Sequence, residues 1–463
     1  MKPAPLSPNG TARVRFLGAD GLPDDMRAEE EFRSRILSAG ESVGLSPERL
    51  FLASELSRWQ PDLDPVERRA LLLLALAALV ALEEGSTRLG LEGELGRLAT
   101  AIAGTDGAGL VATIDRLLSG GRLGQVVGGP AEDRPLVLAP PHIYLHRMYA
   151  LERDLAANLV SAAARAVPPA DVEEALARVL ATAPARLSDE QVVAVRTALA
   201  SPVAVVSGGP GTGKTSIVVS ILRVLVRTGV TPERIALAAP TGKAANRMLE
   251  ALRSALARIP SPDEADRRLL EAPPEARTLH RLLGWSPARG RFHHHERNRL
   301  SEAIVLVDEA SMVDLALMDR LVRALGHEAR LVLLGDADQL PSVAAGAVLR
   351  DLVSSSAASP AHVVRLTHSY RMDAADPAGR EILSVALAMN EGRLDRSLRR
   401  LAAPALATFR GVEVLDRPAA DDAVRLEFLR RWYATRVRGL PGFAGRIDRP
   451  FAIGPAGFAE EEA

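Results

Sequence analysis

At residues 208–215 the chain reads Gly208-Gly209-Pro210-Gly211-Thr212-Gly213-Lys214-Thr215, the pattern G-x-x-x-x-G-K-[ST] of a phosphate-binding loop, or P-loop. Glycines there let backbone N–H groups curl around a polyphosphate, and a helix that begins near Lys214 directs its positive end towards it. The Lys214 ammonium is expected against the β- and γ-phosphates, and the Thr215 hydroxyl as a ligand of Mg²⁺. The stretch therefore predicts ATP and Mg²⁺ as ligands, bound by residues 208–215 and Ser216.

The sequence around the P-loop predicts an α/β fold. The β-branched run Val203–Val206 precedes the loop, and a helical stretch, Ser216–Thr228, follows it. Further along, short β-rich runs alternate with helical stretches, at Ile235–Ala239, Ile304–Val307 and Leu331–Leu334. Such alternation is typical of a parallel sheet with helices on both faces.

Two adjacent carboxylates, Asp308 and Glu309, follow the apolar run Ile304–Val307. Asp308 at a strand tip is suited to holding Mg²⁺ through water, and Glu309 to orienting and deprotonating an attacking water. An isolated pair of this kind would more often be a solvated strand end. Beside a P-loop, the catalytic interpretation is favoured.

Two further residues match sensors of the γ-phosphate. Gln339 lies just past the β-rich run Leu331–Leu334, where a neutral amide can hydrogen-bond the γ-phosphate or the attacking water. Arg371 ends the segment 366–371 and is expected to reach the γ-phosphate with a charge-assisted contact. On its own, Arg371 would be interpreted as part of a surface salt bridge.

Gln191 has two interpretations. Ser188 and Gln191 have the spacing of a helix capping box, in which each side chain bonds the backbone of the other residue. Alternatively, Gln191 contacts the adenine of a bound nucleotide. The two roles compete, because one amide cannot face both ways.

Three consecutive histidines, His293-His294-His295, raise the question of a metal site. Consecutive side chains on a strand or loop do not converge on one ion, and the usual spacings with a carboxylate are absent. A polar loop or hairpin is the favoured interpretation.

The composition excludes several classes of function. The chain has 463 residues, no cysteine, and 57 basic against 58 acidic residues, for a formal charge of -1. It therefore has no disulfides, thiolate metal sites or cysteine nucleophile, while a local basic groove for DNA remains compatible with a neutral body. The most apolar run, Leu71–Leu82, is too short to span a bilayer, and the first residues lack a secretory signal pattern. A cytoplasmic protein is expected.

Residues 1–185 predict a mostly helical N-terminal domain. Helical stretches are expected at Pro47–Arg58, Pro65–Glu84, Leu110–Leu118, His142–Val167 and Ala170–Ala181. The helix from Pro65 has Asp64 as its N-cap, Glu67 as the capping-box partner and Gly85 as its C-terminal stop. The ATP-binding domain is placed at 186–356, with a small inserted hairpin near 285–300 and a surface excursion at 260–274.

Several segments together resemble the RecD family of superfamily 1 DNA helicases, over about residues 140–395. They are HIYLHRMYALERDLA (142–156), GGPGTGKT (208–215), APTGKAANRM (239–248), TLHRLLGW (278–285), VDEASMVD (307–314), LLGDADQLPSVAAGAVLRDL (333–352) and LTHSYR (366–371). The resemblance implies a RecA-like P-loop NTPase. It also implies a DNA-gripping loop formed by Pro240, Thr241, Gly242, Lys243 and Ala244, and a second DNA contact from Thr278 and His280.

The resemblance implies an ATP-driven motor that moves 5′ to 3′ on single-stranded DNA. Many members are the alpha subunit of exodeoxyribonuclease V and act beside RecB-like and RecC-like subunits in double-strand break repair and recombination. The N-terminal domain would then dock onto a partner subunit, and the nuclease centre would belong to another subunit. Alternatives are a nucleotide-binding structural subunit without motor activity, and a P-loop ATPase that acts on protein or small molecules.

The sequence departs from the family after Arg371. The 92 residues 372–463 contain neither a KSQGSEF-like nor a TALTRA-like motif, which the family carries in a second RecA-like domain. Residues 357–463 are accordingly expected to form an incomplete second RecA-like domain with a disordered tail. A fragment, a frame-shifted product and half of a split protein all fit this expectation.

Overall fold

The computed structural model describes residues 24–165, 172–339, 345–355, 362–370, 376–390, 399–402, 407–409, 412–415 and 422–437. The chain divides into two compact units, of which the first contains residues 1–209 and 213–367 and the second contains residues 210–212 and 368–463. The three-domain division at 185/186 and 356/357 stays a prediction. Within the described residues, no helix is long and apolar enough to cross a membrane.

The first part of the first unit consists mainly of helices around a small sheet. Its elements are α1 (Asp24–Ser42), α2 (Pro47–Arg58), α3 (Pro65–Glu83), β1 (Arg88–Gly90), α4 (Glu94–Ala103), α5 (Gly107–Ser119), β2 (Val127–Gly128), β3 (Leu136–Ala139), β4 (His142–Leu145), α6 (His146–Ala163) and α7 (Val172–Ala181). Helix α3 is the centre of this core, because every residue from Ala70 to Ala81 is buried. The predicted capping box is present, with the Glu67 amide donating to Asp64 Oδ1 at 2.8 Å.

The small sheet was not predicted. Strands β1, β4, β3 and β2 lie side by side, and His142–Leu145 forms β4 where a helix was predicted to begin. Ile143 and Tyr144 are both buried there, and both are residue types that strands favour. Pairing with β3 on one side and β1 on the other overrides the local preference of the segment, so the helix begins only at His146.

The rest of the first unit is built on a parallel sheet of six strands. Its elements are α8 (Asp189–Ala200), β5 (Val203–Gly208), α9 (Lys214–Arg227), β6 (Ile235–Ala239), α10 (Gly242–Ala257), α11 (Glu264–Glu271), β7 (Ala276–Thr278), α12 (Leu279–Leu282), β8 (Trp285–Ser286), β9 (Arg291–Phe292), β10 (Ile304–Val307), α13 (Leu315–Ala324), β11 (Arg330–Gly335), α14 (Val348–Ser354) and β12 (Val363–Leu366). The strand order is β12-β5-β11-β10-β6-β7, with every pairing parallel. The predicted α/β fold of the RecA-like class is confirmed. Strands β8 and β9 form a separate antiparallel hairpin, as predicted near 285–300.

Helices cover both faces of the sheet. One apolar core contains residues of α7, α8, α9, α10 and α11, and another contains residues of α6, α12, α13 and α14. Strands β5, β6 and β10 are buried along their whole length, as expected for a parallel sheet covered on both sides. The packing leaves the ends of the strands open for a ligand site.

Residues 260–274 are more than the predicted surface excursion. Within them α11 carries Asp266, which is fully buried and paired with Arg223 of α9, itself 1% exposed. Two bonds join the pair, Arg223 Nε to Asp266 Oδ1 at 2.8 Å and Nη2 to Oδ2 at 2.9 Å, and Arg227 adds a third contact at 2.9 Å. The excursion is therefore tied by charge to the helix that follows the P-loop.

The second unit contains two helices and two short strands among its described residues. They are α15 (Pro377–Asn390), β13 (Arg399–Leu401), β14 (Glu413–Leu415) and α16 (Asp422–Trp432), followed by a π-helical turn at Tyr433–Val437. Strands β13 and β14 pair in parallel. The expected disordered tail from residue 439 lies outside the described residues, and the incomplete second RecA-like domain stays a prediction.

Replacing Asp266 with asparagine is expected to destabilise the first unit by roughly 3–5 kcal/mol at pH 7, because Arg223 keeps a buried charge without its partner. Burial opposes ionisation of Asp266, but hydrogen bonds from Arg223 and Arg227 and their charges outweigh it and lower the pKa of Asp266. The stabilisation is therefore complete above the unfolded pKa of about 3.9 and is lost as the pH falls through the lower folded pKa. The midpoint of urea unfolding at pH 7 and pH 3 measures both effects.

The matched control is the double variant Arg223→Met/Asp266→Leu, which removes both charges together. Its stability at pH 7 should lie well above that of Asp266→Asn. Equal loss in the two variants would mean that packing volume, rather than the buried charge, determines the stability of this contact.

Candidate nucleotide and DNA site

Parallel pairing brings the carboxyl ends of the main strands to one edge of the sheet. Gly208, Ala239, Thr278, Val307 and Gly335 end their strands there. Open α/β sheets bind ligands at this edge. In the first unit, the predicted residues at the edge are Gly208, Gly209, Gly213, Lys214, Thr215, Ser216, Pro240, Thr241, Gly242, Lys243, Thr278, His280, Asp308, Glu309 and Gln339.

The P-loop has the backbone that its glycines predict. Gly211 and Gly213 adopt φ values of 80° and 82°, a left-handed region that glycine enters at little cost. Gly213 is the N-cap of α9, so Lys214 and Thr215 occupy the first turn of that helix. The Lys214 ammonium donates hydrogen bonds to the carbonyl oxygens of Gly208 at 2.5 Å and Gly209 at 3.2 Å. This places a positive charge at the mouth of the loop, beside the positive end of a helix.

The carboxylate pair lies at the tip of β10. Asp308 Oδ1 accepts a hydrogen bond from the Glu309 amide at 2.9 Å, and Glu309 adopts a left-handed backbone with φ 53°. Burial raises the pKa of Asp308, while the Glu309 amide and the Lys214 charge oppose the shift. Burial, and then the Asp308 charge, raise the pKa of Glu309. A raised pKa makes Glu309 a better proton acceptor, which suits the predicted role of general base.

Gln339 lies on a short loop that follows β11. The Ala337 amide donates to Ser207 Oγ at 3.2 Å, which ties the loop to the neighbouring strand. Arg350 of α14 holds it from the other side, donating from Nε to the Ala337 carbonyl at 3.1 Å and from Nη2 to the Gln339 carbonyl at 3.2 Å. Sequence reasoning missed Arg350, because an arginine that bonds only backbone carbonyls leaves no pattern in the sequence.

The segment before Arg371 belongs partly to the second unit. Within that unit the Tyr370 amide donates to the Gly211 carbonyl at 2.8 Å, and the Ser369 hydroxyl donates to the Pro210 carbonyl at 3.1 Å. The central residues of the P-loop, Pro210, Gly211 and Thr212, are therefore grouped with the residues that lead to Arg371. Arg371 itself lies outside the described residues, and its predicted contact with the γ-phosphate stays a prediction.

A second connection to this segment was not predicted from the sequence. In the first unit, Glu190 in the first turn of α8 accepts hydrogen bonds from the Thr367 amide at 2.9 Å and the Thr367 hydroxyl at 2.5 Å. Thr367 directly follows β12. Glu190 therefore fixes the point where the chain leaves the sheet towards Arg371.

Gln191 forms the capping box. Its side-chain oxygen accepts from the Ser188 amide at 3.0 Å, its own amide donates to Ser188 Oγ at 3.3 Å, and the residue is 4% exposed. The Oε1 atom of Gln191 is thus occupied by a hydrogen bond at the amino end of α8. The predicted contact of Gln191 with adenine stays a prediction.

The predicted DNA loops lie at the tips of adjacent strands, with Ala239 of β6 opposite Thr278 of β7. Thr241 caps α10, its hydroxyl accepting from the Ala244 amide at 3.2 Å, and Lys243 in the first turn is exposed. Thr278 caps α12 in the same manner, accepting from the Arg281 amide at 3.1 Å. Both threonine side chains therefore hold helix ends, while backbone amides and the lysine remain for a phosphate backbone.

The residues at this edge fit MgATP. The left-handed glycines and the amino end of α9 suit a polyphosphate, and the exposed Thr215 hydroxyl and Asp308 carboxylate are hard oxygen donors of the kind that Mg²⁺ prefers. Within the described residues no group of three or more His, Asp or Glu side chains could hold a metal ion. A magnesium ion bound mainly by phosphate oxygens and one or two side chains needs no such group.

Comparison with known proteins matches the same region of the chain. The AAA domain family model matches residues 191–345. The RecBCD enzyme subunit RecD of Mycobacterium tuberculosis (strain CDC 1551 / Oshkosh) is 42% identical over 281 residues, 57% of this chain and 45% of that protein. RecBCD enzyme subunit RecD of Haemophilus influenzae is 45% identical over 166 residues, 36% of this chain and 26% of that protein. The ATP-dependent RecD2 DNA helicase of Deinococcus radiodurans is 34% identical over 191 residues, 41% of this chain and 22% of that protein. The chain thus spans less than half the length of these relatives.

Replacing Lys214 with alanine is expected to abolish ATP hydrolysis while leaving the fold intact. Its ammonium bonds only two carbonyls of the P-loop, so the substitution removes charge from the site and little packing. Steady-state phosphate release and the thermal midpoint measure the two effects. Arg258→Ala, which removes an exposed charge just after the end of α10, is the control. Turnover by Lys214→Ala at the control rate would disprove the assignment of the P-loop.

Replacing Glu309 with glutamine is expected to lower turnover by on the order of 10²–10⁴-fold, because the amide cannot take a proton from water. Binding of a fluorescent ATP analogue should change little, since the side chain keeps its size. Glu302→Gln serves as the matched control, because Glu302 is half-buried as Glu309 is. A variant that binds the analogue more weakly but turns over at the wild-type rate would place Glu309 in binding rather than in proton transfer.

Proposed function

We propose that this chain, which is 42–45% identical to RecD subunits over the region that they match, is the ATP-hydrolysing part of a DNA motor of the RecD family. The observation that carries the proposal is the arrangement of Lys214, Asp308 and Glu309 at one sheet edge, where the Lys214 charge influences both carboxylates. A phosphate-gripping cation, a magnesium-binding carboxylate and a base are the groups that phosphoryl transfer to water requires.

The proposed reaction is hydrolysis of the terminal phosphoanhydride of ATP. The oxygen of a water molecule attacks the γ-phosphorus, the bond from that phosphorus to the bridging oxygen breaks, and the Glu309 carboxylate takes a proton from the water. Lys214 offsets the negative charge on the phosphate oxygens. Thr215 and Asp308 would hold Mg²⁺, which supplies further positive charge at the phosphates when bound. Gln339 and Arg371 would report the presence of the γ-phosphate.

The proposed track for single-stranded DNA crosses the tips of β6 and β7. The proposal is supported by the backbone of residues 240–243 and by the exposed side chains of Lys243 and His280. Backbone amides and polar side chains of this kind bind phosphate oxygens and so position a nucleic-acid strand without recognising its sequence. Movement would run 5′ to 3′, as the family resemblance implies. Nucleotide turnover would drive it through the Gln339 loop and the segment that leads to Arg371.

We further propose that the chain works in the cytoplasm within an exodeoxyribonuclease V-type complex. RecB-like and RecC-like subunits would be its partners in double-strand break repair and recombination. The support is the match to proteins named as RecD subunits of the RecBCD enzyme. The helices and small sheet before the P-loop would be the docking region.

DNA should stimulate ATP hydrolysis by the purified chain, by about tenfold or more at saturating single-stranded oligonucleotide. The rate of phosphate release with and without a 20-residue oligothymidylate measures this. Lys243→Ala should raise the DNA concentration needed for half-maximal stimulation, whereas Arg253→Ala, an exposed charge farther along the same helix, should not.

Three outcomes separate the candidate functions. Stimulated turnover supports the motor. Tight nucleotide binding without DNA-stimulated turnover would contradict it and favour a nucleotide-binding structural subunit. Turnover that is insensitive to DNA would favour a P-loop ATPase with another substrate.

A further inference from the structure

A cavity of about 590 Å³ lies beside the β8–β9 hairpin, against helices α6 and α13. We call it the arginine pocket, after the five arginines among its lining residues: Arg147, Arg289, Arg291, Arg320 and Arg323. The three consecutive histidines, His293–His295, also line it. Its volume is in the usual range for a ligand site, about 300–1,000 Å³.

The pocket carries an excess of positive charge. Only two carboxylates line it, Asp319 and Glu296. Arg323 is paired with Asp319 at 2.9 Å and with Asp154 at 3.0 Å. In the part of the chain that the structure describes, none of the other four arginines forms a salt bridge with a carboxylate. Four guanidinium groups that line one cavity without a carboxylate partner can serve as hydrogen-bond donors to a polyanion.

One of the three histidines that line the pocket has a polar atom without a hydrogen-bond partner. The Nδ1 atom of His294 is buried and has no hydrogen-bond partner among the described residues. Buried polar atoms are normally hydrogen-bonded, so an orphan at the wall of a basic cavity indicates a missing partner.

Aromatic rings connect the pocket to the predicted DNA contact. The Arg320 guanidinium lies over the Phe292 ring at 5.0 Å from its centroid, and Phe292 contacts Trp285 at 4.8 Å and His280 at 5.7 Å. Trp285 is 41% exposed. A row of ring contacts therefore leads from the exposed His280 at the tip of β7, over the exposed Trp285 and the half-buried Phe292, to Arg320.

We propose that the arginine pocket binds the phosphodiester backbone of single-stranded nucleic acid, as a contact additional to the strand-tip loops. Planar guanidinium groups bind phosphate oxygens in pairs, and an exposed aromatic ring beside them, here Trp285, can stack on a base. An acidic peptide would match the charge, but it lacks the planar base that each nucleotide offers for stacking on Trp285. The proposal rests on the proposed function, because it extends the same DNA track to the hairpin side of the sheet.

The test compares two triple variants of the full chain. Arg289→Ala/Arg291→Ala/Arg320→Ala removes three charges from the pocket. Arg253→Ala/Arg258→Ala/Arg267→Ala removes three exposed charges from α10, its C-terminal end and α11, which pack on the other face of the sheet. Fluorescence anisotropy with a labelled 20-residue oligothymidylate, between 50 and 300 mM salt, gives the affinity and its salt dependence.

The pocket variant should bind DNA at least about tenfold more weakly. The slope of log affinity against log salt should become shallower by about 2, because each phosphate contact with a single strand contributes about 0.7 to its magnitude and the variant removes three arginines. The control variant should stay within about threefold of the wild type. Arg320→Lys, which keeps the charge but not the planar group, should retain only part of the affinity that the single variant Arg320→Ala loses. Thermal midpoints of all variants separate loss of binding from loss of fold.

Each remaining outcome overturns the proposal in a distinguishable way. If the pocket variant keeps the wild-type affinity and salt slope while Lys243→Ala binds DNA more weakly, the arginine pocket is not a DNA contact. The proposed function as a DNA motor would then still stand. Polyglutamate that displaces the oligonucleotide at equal charge concentration would show a general polyanion surface. A wild-type chain that neither binds the oligonucleotide nor shows DNA-stimulated turnover would overturn the pocket and the proposed function together.

Discussion

Parallel pairing of six strands is the constraint on which the rest of this structure depends. Because every strand of the main sheet runs in one direction, the chain must cross back after each strand, and helices fill both faces. The faces are then closed mainly by apolar packing, and the polar groups of the nucleotide site collect at the strand ends. The P-loop, the carboxylate pair and the Gln339 loop meet at one edge for this reason, although more than 120 residues separate Gly208 from Gln339 in the sequence.

The same packing sets the electrostatics of the edge. Strand β10 is buried along its length, and the two carboxylates that follow it lie partly buried at its end. Because burial disfavours the charged form of a carboxyl group, it raises the pKa of both Asp308 and Glu309. Lys214 offsets part of this cost through its charge. A stabilising apolar core and a proton-accepting carboxylate are therefore two results of one arrangement, and a change that opened the core would also lower the pKa of Glu309.

Local patterns predicted the parts of the fold that depend on neighbours in the sequence. The P-loop, the cap at Asp64, four of the six strands of the main sheet and the hairpin near 285–300 all follow from residues a few positions apart. What depended on distant contacts was not predicted: the small sheet around His142–Leu145 forms only by pairing with two other strands, and Asp266 is buried only because Arg223 meets it. At the site, Arg350 acts on backbone carbonyls, which no sequence pattern records.

Net charge says little about where a chain of this kind contacts nucleic acid. The formal charge of -1 averages over the whole molecule, whereas screening limits each charge to about 8–10 Å at physiological salt. A phosphate backbone therefore experiences the local balance, which in the arginine pocket is five arginines against two carboxylates. Among the described residues, exposed arginines without a carboxylate partner also occur elsewhere in the unit, as at Arg253 and Arg258, but in the arginine pocket four of them line one cavity. A neutral chain can hold a polyanion there because its acidic residues lie elsewhere.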